Sequence, residues 1–346
     1  MSDQKRKPTV SLVIPCFNEE KVLPYLHQDL KGFLDRMSRK YILEVLLIDD
    51  GSRDGTWTLI RDYASGDPRI KGLALSRNFG HQSALSCGYE WSTGDAVIAL
   101  DADLQDPPEV IDELLQKWEE GADVVYAVRE SREGDSLFKR STAALFYRIM
   151  GALGVRHLRA DSGDFRLMSR RSLNALKRLP EYHRFLRGMV GWIGFRTSEV
   201  RFNRKPRKMG TTKYSFSKML RFAMDGVVSF SLLPLRLSYL TAGLLGLAVF
   251  AYLFIALVRH LFLGESTLTG WSVLICVMGA LGAMNLLCLG IVGEYVGRIH
   301  EQSKNRPQYI VLESVDHGMS PPPPPGSIPS TGISEISRGI VESVPK

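Results

Sequence analysis

The chain has 346 residues, 45% hydrophobic and 23% charged, with a formal net charge of +7. That composition excludes a disordered or low-complexity chain. The positive charge comes with no zinc-finger spacing and no basic-plus-heptad pattern, which argues against a nucleic-acid partner. Much of it lies between Arg196 and Arg221, just ahead of an apolar region, where it suits an anionic membrane surface.

Short apolar runs at 10–14, 43–48, 70–75, 96–100 and 123–128 read as buried strands of a parallel sheet. Helical stretches at 19–34, 56–64 and 80–91, and one opened by Pro107, alternate with them. This alternation predicts a doubly wound α/β fold. Beyond it, 136–150 reads as an amphipathic helix, 161–168 as a loop entering a strand, and 195–202 as another strand.

Two uncharged apolar stretches follow, at about 239–258 and 271–293, each long enough to span a bilayer. A short connection makes them a hairpin. Basic residues flank it at both ends, and the connection offers only Arg259 and His260. The positive-inside rule then puts the catalytic domain and both termini in the cytoplasm of an integral membrane protein. The expected organisation is a catalytic domain over 1–213, a juxtamembrane amphipathic segment over 214–235, the hairpin over 236–296 and a tail over 297–346, disordered from about 313. Gly279, Gly282 and Ala283 form a small-residue face suited to helix packing. The four cysteines (Cys16, Cys87, Cys276, Cys288) fit neither a disulfide framework nor a zinc site, and point to a reducing compartment.

The polar clusters fall where the strands end, and in open α/β sheets ligands bind there. Asn18-Glu19, Asp49-Asp50 and Asp101-Ala102-Asp103 are therefore expected to line one crevice. Asp101 and Asp103 put two carboxylates near one point, which suits a hard divalent cation such as Mg²⁺ that also takes substrate phosphates. Asp49 and Asp50 suit ribose or base contacts, and equally a turn, since Asp-Gly-Ser is turn chemistry. Glu19 reads equally as a site residue and as a first-turn helix acid. Asp161 and Asp164 offer either a general base or acceptor-orienting group, or an Asx turn with an Asp164–Arg166 surface pair. Arg207, Thr212 and Lys213 lie in a basic, hydroxyl-rich segment that reads as a phosphate clamp or as a basic loop on lipid. The seven histidines show no metal-ligand spacing. No nucleophile elbow, dinucleotide fingerprint after a strand, or Walker loop is present.

Taken together, Val13-Ile14-Pro15-Cys16-Phe17-Asn18-Glu19-Glu20, Ile48-Asp49-Asp50-Gly51-Ser52 and Asp101-Ala102-Asp103-Leu104-Gln105-Asp106-Pro107-Pro108-Glu109 closely resemble family 2 glycosyltransferases of the GT-A fold. Ser76-Arg77-Asn78-Phe79-Gly80, Gly163-Asp164-Phe165-Arg166-Leu167, the 207–214 segment and the hairpin narrow the resemblance to polyprenyl-phosphate glycosyltransferases. These include the bactoprenol glucosyltransferases and dolichol-phosphate mannose synthases. The resemblance implies that Pro15, Phe17, Glu19 and Asp50 hold the nucleotide. Asp101 and Ala102 approach the diphosphate, and Asp103 binds Mg²⁺ or Mn²⁺. Gln105 contacts the sugar side. Arg129, Arg207 and Lys213 handle phosphates, and Asp164 or Asp161 lies nearest the acceptor. Phe17 stands where some relatives carry Tyr, and Thr212 where the family often has Ser. The implied reaction is inverting hexosyl transfer from a nucleotide sugar, with UDP-glucose the lead donor, to polyprenyl phosphate by a homotetramer in the membrane. GDP-mannose, an aminoarabinose-type donor and a non-catalytic nucleotide-sugar binder are the alternatives.

Overall fold

A computed structural model of the chain describes residues 6–103, 107–129, 162–203, 233–263 and 270–316. The described residues fall into two compact units. The first holds residues up to 103 and the returning stretch from 307. The second holds the chain between.

In the first unit, strands β1 (Thr9–Cys16), β2 (Ile42–Asp49), β3 (Ile70–Leu75) and β4 (Ala96–Ala99) lie parallel in the order β4-β1-β2-β3. Helices α1 (Leu23–Met37), α2 (Thr56–Gly66) and α3 (His81–Trp91) make the crossovers. All eight residues of β1 are buried, as a central parallel strand covered on both faces requires. The Cys16 carbonyl accepts from Asp50 N on the β2 side, and the Val13 carbonyl from Leu100 N on the β4 side. Pro15, two residues from Val13, therefore turns its missing N–H to the side where β4 has already ended. That is why a central strand tolerates it. Helix α1 buries Leu23, Leu26, Leu30, Phe33 and Leu34, one apolar stripe. A Cβ on Gly88 of α3 would lie 2.1 Å from Val13 Cγ1, so glycine alone lets the helix lie this close to β1.

Across the N-terminal ends of these strands, a buried carboxylate is fully partnered. Glu44 accepts from Ser11 Oγ, from Thr93 N at 3.0 Å and from Lys71 Nζ at 2.6 Å. Burial alone would raise its pKa. The hydrogen bonds from Lys71, Ser11 and Thr93 outweigh burial and hold it below the ordinary value.

The chain returns after the hairpin as β8 (Val311–Val315), antiparallel to β3 at the edge of this unit. Tyr309 Oη hydrogen-bonds Glu90, and Trp57 Nε1 donates to Glu313 Oε2 at 3.0 Å. The tail was expected to be disordered from about 313, but the strand runs to Val315. Its residues pair because β3 offers an open ladder, a non-local cause.

In the second unit, β5 (Val124–Arg129) pairs antiparallel with β6 (Ser162–Ser169) and parallel with β7 (Thr197–Phe202). Helix α4 (Pro108–Glu119) precedes β5, with Pro107 at its cap. Helices α5 (Arg170–Lys177) and α6 (Leu186–Trp192) lie between β6 and β7. The stretch expected as a loop entering a strand is strand from Ser162, fixed by pairing with β5.

Two long helices complete this unit, α7 (Leu233–Leu263) and α8 (Gly270–Ser303). Thr241 Oγ1 meets Met284 Sδ at 3.6 Å, and Cys288 Sγ meets the Ser238 carbonyl at 3.7 Å, so the pair is an antiparallel hairpin. Residues 240–259 and 277–303 are long and apolar enough to cross a membrane. Their large apolar side chains are exposed, Leu286 at 72% and Phe262 at 82%. The expected helix 136–150 and the expected segment 214–235, apart from its last residues, lie outside the described residues.

Candidate active site

The strand ends of the first unit form one group, as their sequence positions require. Asp49 is level with Cys16 in the ladder, and Ala99 with Val13. Phe17, Glu19, Asp50, Asp101 and Asp103 thus emerge from the carboxyl ends of β1, β2 and β4, with Pro15 and Ala102 buried behind them.

Three loops are stitched together there. Asn18 adopts a left-handed backbone (φ 53°), its N–H donates to Ser52 Oγ at 2.9 Å, and its Oδ1 accepts from Arg53 N at 2.9 Å. Glu19 N donates to Thr56 Oγ1 at 2.8 Å. Helix α1 starts only at Leu23, so Glu19 is not a first-turn acid; it sits in the half-exposed loop ahead of it. Asp49 accepts from Ser52 N, the turn role.

Asp50 has a different role. Its carboxylate accepts from Phe79 N at 2.7 Å, Gly80 N at 3.0 Å and Asn78 Nδ2 at 3.0 Å. It thereby brackets the loop after β3 against the end of β2. Burial pushes its pKa up to about 6, against the opposing pull of the Phe79 and Gly80 amides. Gly51 completes the joint. At φ +66°, a Cβ there would lie 2.4 Å from the Arg77 carbonyl carbon and 2.6 Å from Asn78 N.

Asp101 and Asp103 follow β4 in a turn, half-exposed, with Ala102 between them buried. His81, the first residue of α3, puts Nε2 3.9 Å from Asp101 Oδ1. Sequence reasoning assigned His81 nothing, because its nearness to Asp101 comes from the strand order and not from spacing. Among the described residues no set of three His, Cys, Asp or Glu side chains could hold a metal. Two carboxylates with oxygen donors only still fit a hard cation whose remaining positions come from water and substrate phosphates.

The second unit carries another group. Asp164 on β6 is buried at 6% exposure, and two guanidiniums clasp it. Arg166 Nη2 donates to its Oδ1 at 2.8 Å, and Arg187 forks both oxygens at 3.1 and 3.0 Å. Arg166 is 1% exposed, and its Nη1 has no hydrogen-bond partner among the described residues. The Asp164–Arg166 pair was expected at the surface as one reading, but it is internal. Arg187 was missed: it lies 23 residues on, and no local pattern links it to Asp164. Arg129 closes β5 near this cluster, its Nη2 3.7 Å from where a Gly163 Cβ would stand. Gln105, Asp161, Arg207, Thr212 and Lys213 lie outside the described residues.

These carboxylate-tipped parallel strands, with an acidic pair after β4, match a known class. Residues 11–177 fit the model of glycosyl transferase family 2. An uncharacterized glycosyltransferase of Bacillus subtilis, YkcC, is 44% identical over 304 residues, covering 88% of this chain and 93% of its own. A SfII prophage-derived bactoprenol glucosyl transferase of Shigella flexneri is 38% identical over 305 residues, covering 88% and 98%. Glucosyl-3-phosphoglycerate synthase of Mycobacterium tuberculosis, solved with Mn²⁺, UDP and phosphoglyceric acid, overlays with a TM-score of 0.44 and 16% identity, covering 64% of this chain and 76% of its own. The protein is a glycosyltransferase of the GT-A fold. It belongs to glycosyl transferase family 2, and its relatives at 37–38% identity include enzymes named for glucosyl transfer to bactoprenol.

Proposed function

We propose that the protein transfers a hexose, with inversion, from a nucleotide sugar to polyprenyl phosphate at a membrane, with UDP-glucose as the donor. The observation that carries this is the pairing of a family 2 domain with an apolar hairpin whose leucines and phenylalanines lie exposed. Side chains such as Phe262 have no place in water and suit lipid, where a polyprenyl chain resides. The bactoprenol-named relatives cover nearly the same span. Arg298 near the end of α8, Lys304 and Arg306 after it, and Arg201 ahead of α7 support a cytoplasmic catalytic domain. The small-residue face at Gly279, Gly282 and Ala283 lies exposed and supports a homo-oligomer, a tetramer in our reading.

In this mechanism the strand ends of the first unit hold the nucleotide of the donor. Phe17 and Glu19, with Pro15 behind, flank the nucleotide, and Asp50 fixes the loops that close over it. Asp101 and Asp103, with Ala102, take the diphosphate side, and Gln105 the sugar side. Bound there through Asp103 and Asp101, Mg²⁺ or Mn²⁺ would supply charge stabilisation to the leaving diphosphate. A phosphate oxygen of the acceptor attacks the anomeric carbon from the opposite face; the new C–O bond forms as the bond to the diphosphate breaks. With a second pKa near 6, the acceptor is already largely dianionic at neutral pH and needs no proton removed. Asp164, or Asp161, therefore orients the acceptor, with Arg166 and Arg187 held at Asp164. Arg129, Arg207, Thr212 and Lys213 handle phosphates.

The test is lipid extraction after the detergent-purified protein meets undecaprenyl phosphate, Mg²⁺ and one donor at a time: UDP-glucose, GDP-mannose or UDP-N-acetylglucosamine. Lipid-linked glucose, abolished by Asp103→Ala, is expected. Product from GDP-mannose alone would move the donor assignment. Nucleotide binding without product from any donor would overturn the reaction.

A further inference from the structure

The last turn of α8 holds the loop that leads into α6. Gln302 Oε1 accepts from Tyr182 N at 2.7 Å, and its Nε2 donates to the Pro180 carbonyl at 2.7 Å. Beside it, His183 Nε2 meets Glu301 Oε2. One side-chain amide thus grips two backbone groups two residues apart, which fixes both the position and the rotation of the loop. The loop is also closed on itself, since Arg184 Nη2 donates to the Leu179 carbonyl at 3.2 Å. Phe185 and Leu186 then bury and start α6. The second residue of that helix is Arg187, which forks Asp164.

Four residues lie between Tyr182 and Arg187: His183 meets Glu301, Arg184 donates to the Leu179 carbonyl, and Phe185 and Leu186 are buried. Arg187 is 32% exposed, so it can swing into water unless its backbone is held. Arg166, at 1% exposed, cannot. The adjustable member of the Asp164 cluster is therefore the one whose helix is set by the end of the hairpin.

We infer that Gln302 is a positioning residue: through the 179–185 loop, the end of α8 sets Arg187 against Asp164. The hairpin is thereby coupled to the acceptor-side cluster, so a displacement of α8 in the bilayer is felt at Asp164. Its kinetic arm rests on the proposed reaction, whereas its structural arm does not.

The experiment compares the full-length protein with Gln302→Ala, Gln302→Glu, Arg187→Ala and the Gln302→Ala/Arg187→Ala double variant. Amide hydrogen exchange and steady-state transfer from UDP-glucose to undecaprenyl phosphate are both read. Gln302→Ala should speed exchange about tenfold across 179–192, past the Tyr182 amide and into α6. It should lower turnover about three- to tenfold while donor nucleotide affinity stays within about twofold, which also shows that the protein is folded. Gln302→Glu keeps the acceptor for Tyr182 N–H and should fall between. In the double variant the Gln302 change should cost nothing beyond Arg187→Ala, because both act on one contact. Faster exchange that stops at Tyr182, or effects of the two substitutions that multiply, would overturn the relay. A parent protein that makes no lipid product would count against the proposed reaction, and the exchange arm would still decide the relay.

Discussion

Replacing Asp164 by asparagine strips the negative charge that Arg166 and Arg187 share. The two arginines respond differently. Arg187 is a third exposed and can turn to water, but Arg166 is 1% exposed, and its Nη1 already has no hydrogen-bond partner among the described residues. The substitution therefore leaves a buried guanidinium without its counter-charge, and breaking such a pair costs about 3–5 kcal/mol. Asparagine retains one carbonyl acceptor, so the lower end, about 3 kcal/mol, is the expectation. At roughly 2–4 °C per kcal/mol for a chain part of this size, the unfolding midpoint should fall by about 6–12 °C. Thermal unfolding in detergent at one fixed scan rate reads this. Transfer assayed at temperatures below both midpoints, from pH 6 to 8.5, reads the catalytic part. If Asp164 orients, the variant is slower by the same factor at every pH. A midpoint within about 2 °C of the parent would refute the buried-pair argument. Loss of an acid-limb pKa, the limb a general base shapes because it must be deprotonated, would refute the orienting role and make Asp164 a base.

Three further outcomes follow from the first unit. Gly51→Ala, forced to φ +66° with its Cβ 2.4 Å from the Arg77 backbone, should destabilise by about 2–4 kcal/mol and weaken nucleotide binding in a titration; a neutral result would mean the Arg77–Asn78 loop moves freely. Asp50 has a folded pKa of about 6, above its ordinary 3.8, so its stabilisation is present below 3.8 and lost as pH rises through 6. Relative to Asp50→Asn, the parent should lose on the order of 3 kcal/mol between pH 3.5 and 7 in denaturant unfolding; a pH-independent gap would contradict this. Glu44 is shifted the other way. Its contribution is present above the ordinary 4.5 and lost as pH falls through the lowered folded value, so the parent's advantage over Glu44→Gln should shrink below pH 4.5 and nowhere else.

What could be read from the sequence divides along a physical line. The strands of the first unit and the group at their carboxyl ends were legible because buried parallel strands are written as short apolar runs, and because their polar ends have one place to go. Residues 70–75 came out to the residue. The hairpin was legible for the same reason, since nothing but apolar length makes such helices. Partnership at a distance was not legible. His81 meets Asp101 through the strand order, Arg187 finds Asp164 across 23 residues, and Asp50 spends its carboxylate on amides of the 78–80 loop. Val311–Val315 carries no strand pattern of its own, and pairs because β3 would otherwise end the sheet with an open ladder.

The returning strand has a consequence for how the protein is made. β3 is complete when the ribosome passes Leu75, but its partner β8 ends at Val315, about 240 residues later. At roughly 5–20 residues per second, the edge of β3 stays open for about 10–50 s, while the whole apolar hairpin is synthesised. During that interval the nascent chain carries both an unpaired edge and two unhoused apolar helices. Residues 307–316 can close the ladder only after the whole hairpin has been synthesised. Synthesis of both apolar helices thus precedes the last pairing of the first unit, and a chain stopped anywhere before Val311 leaves β3 as a bare edge strand.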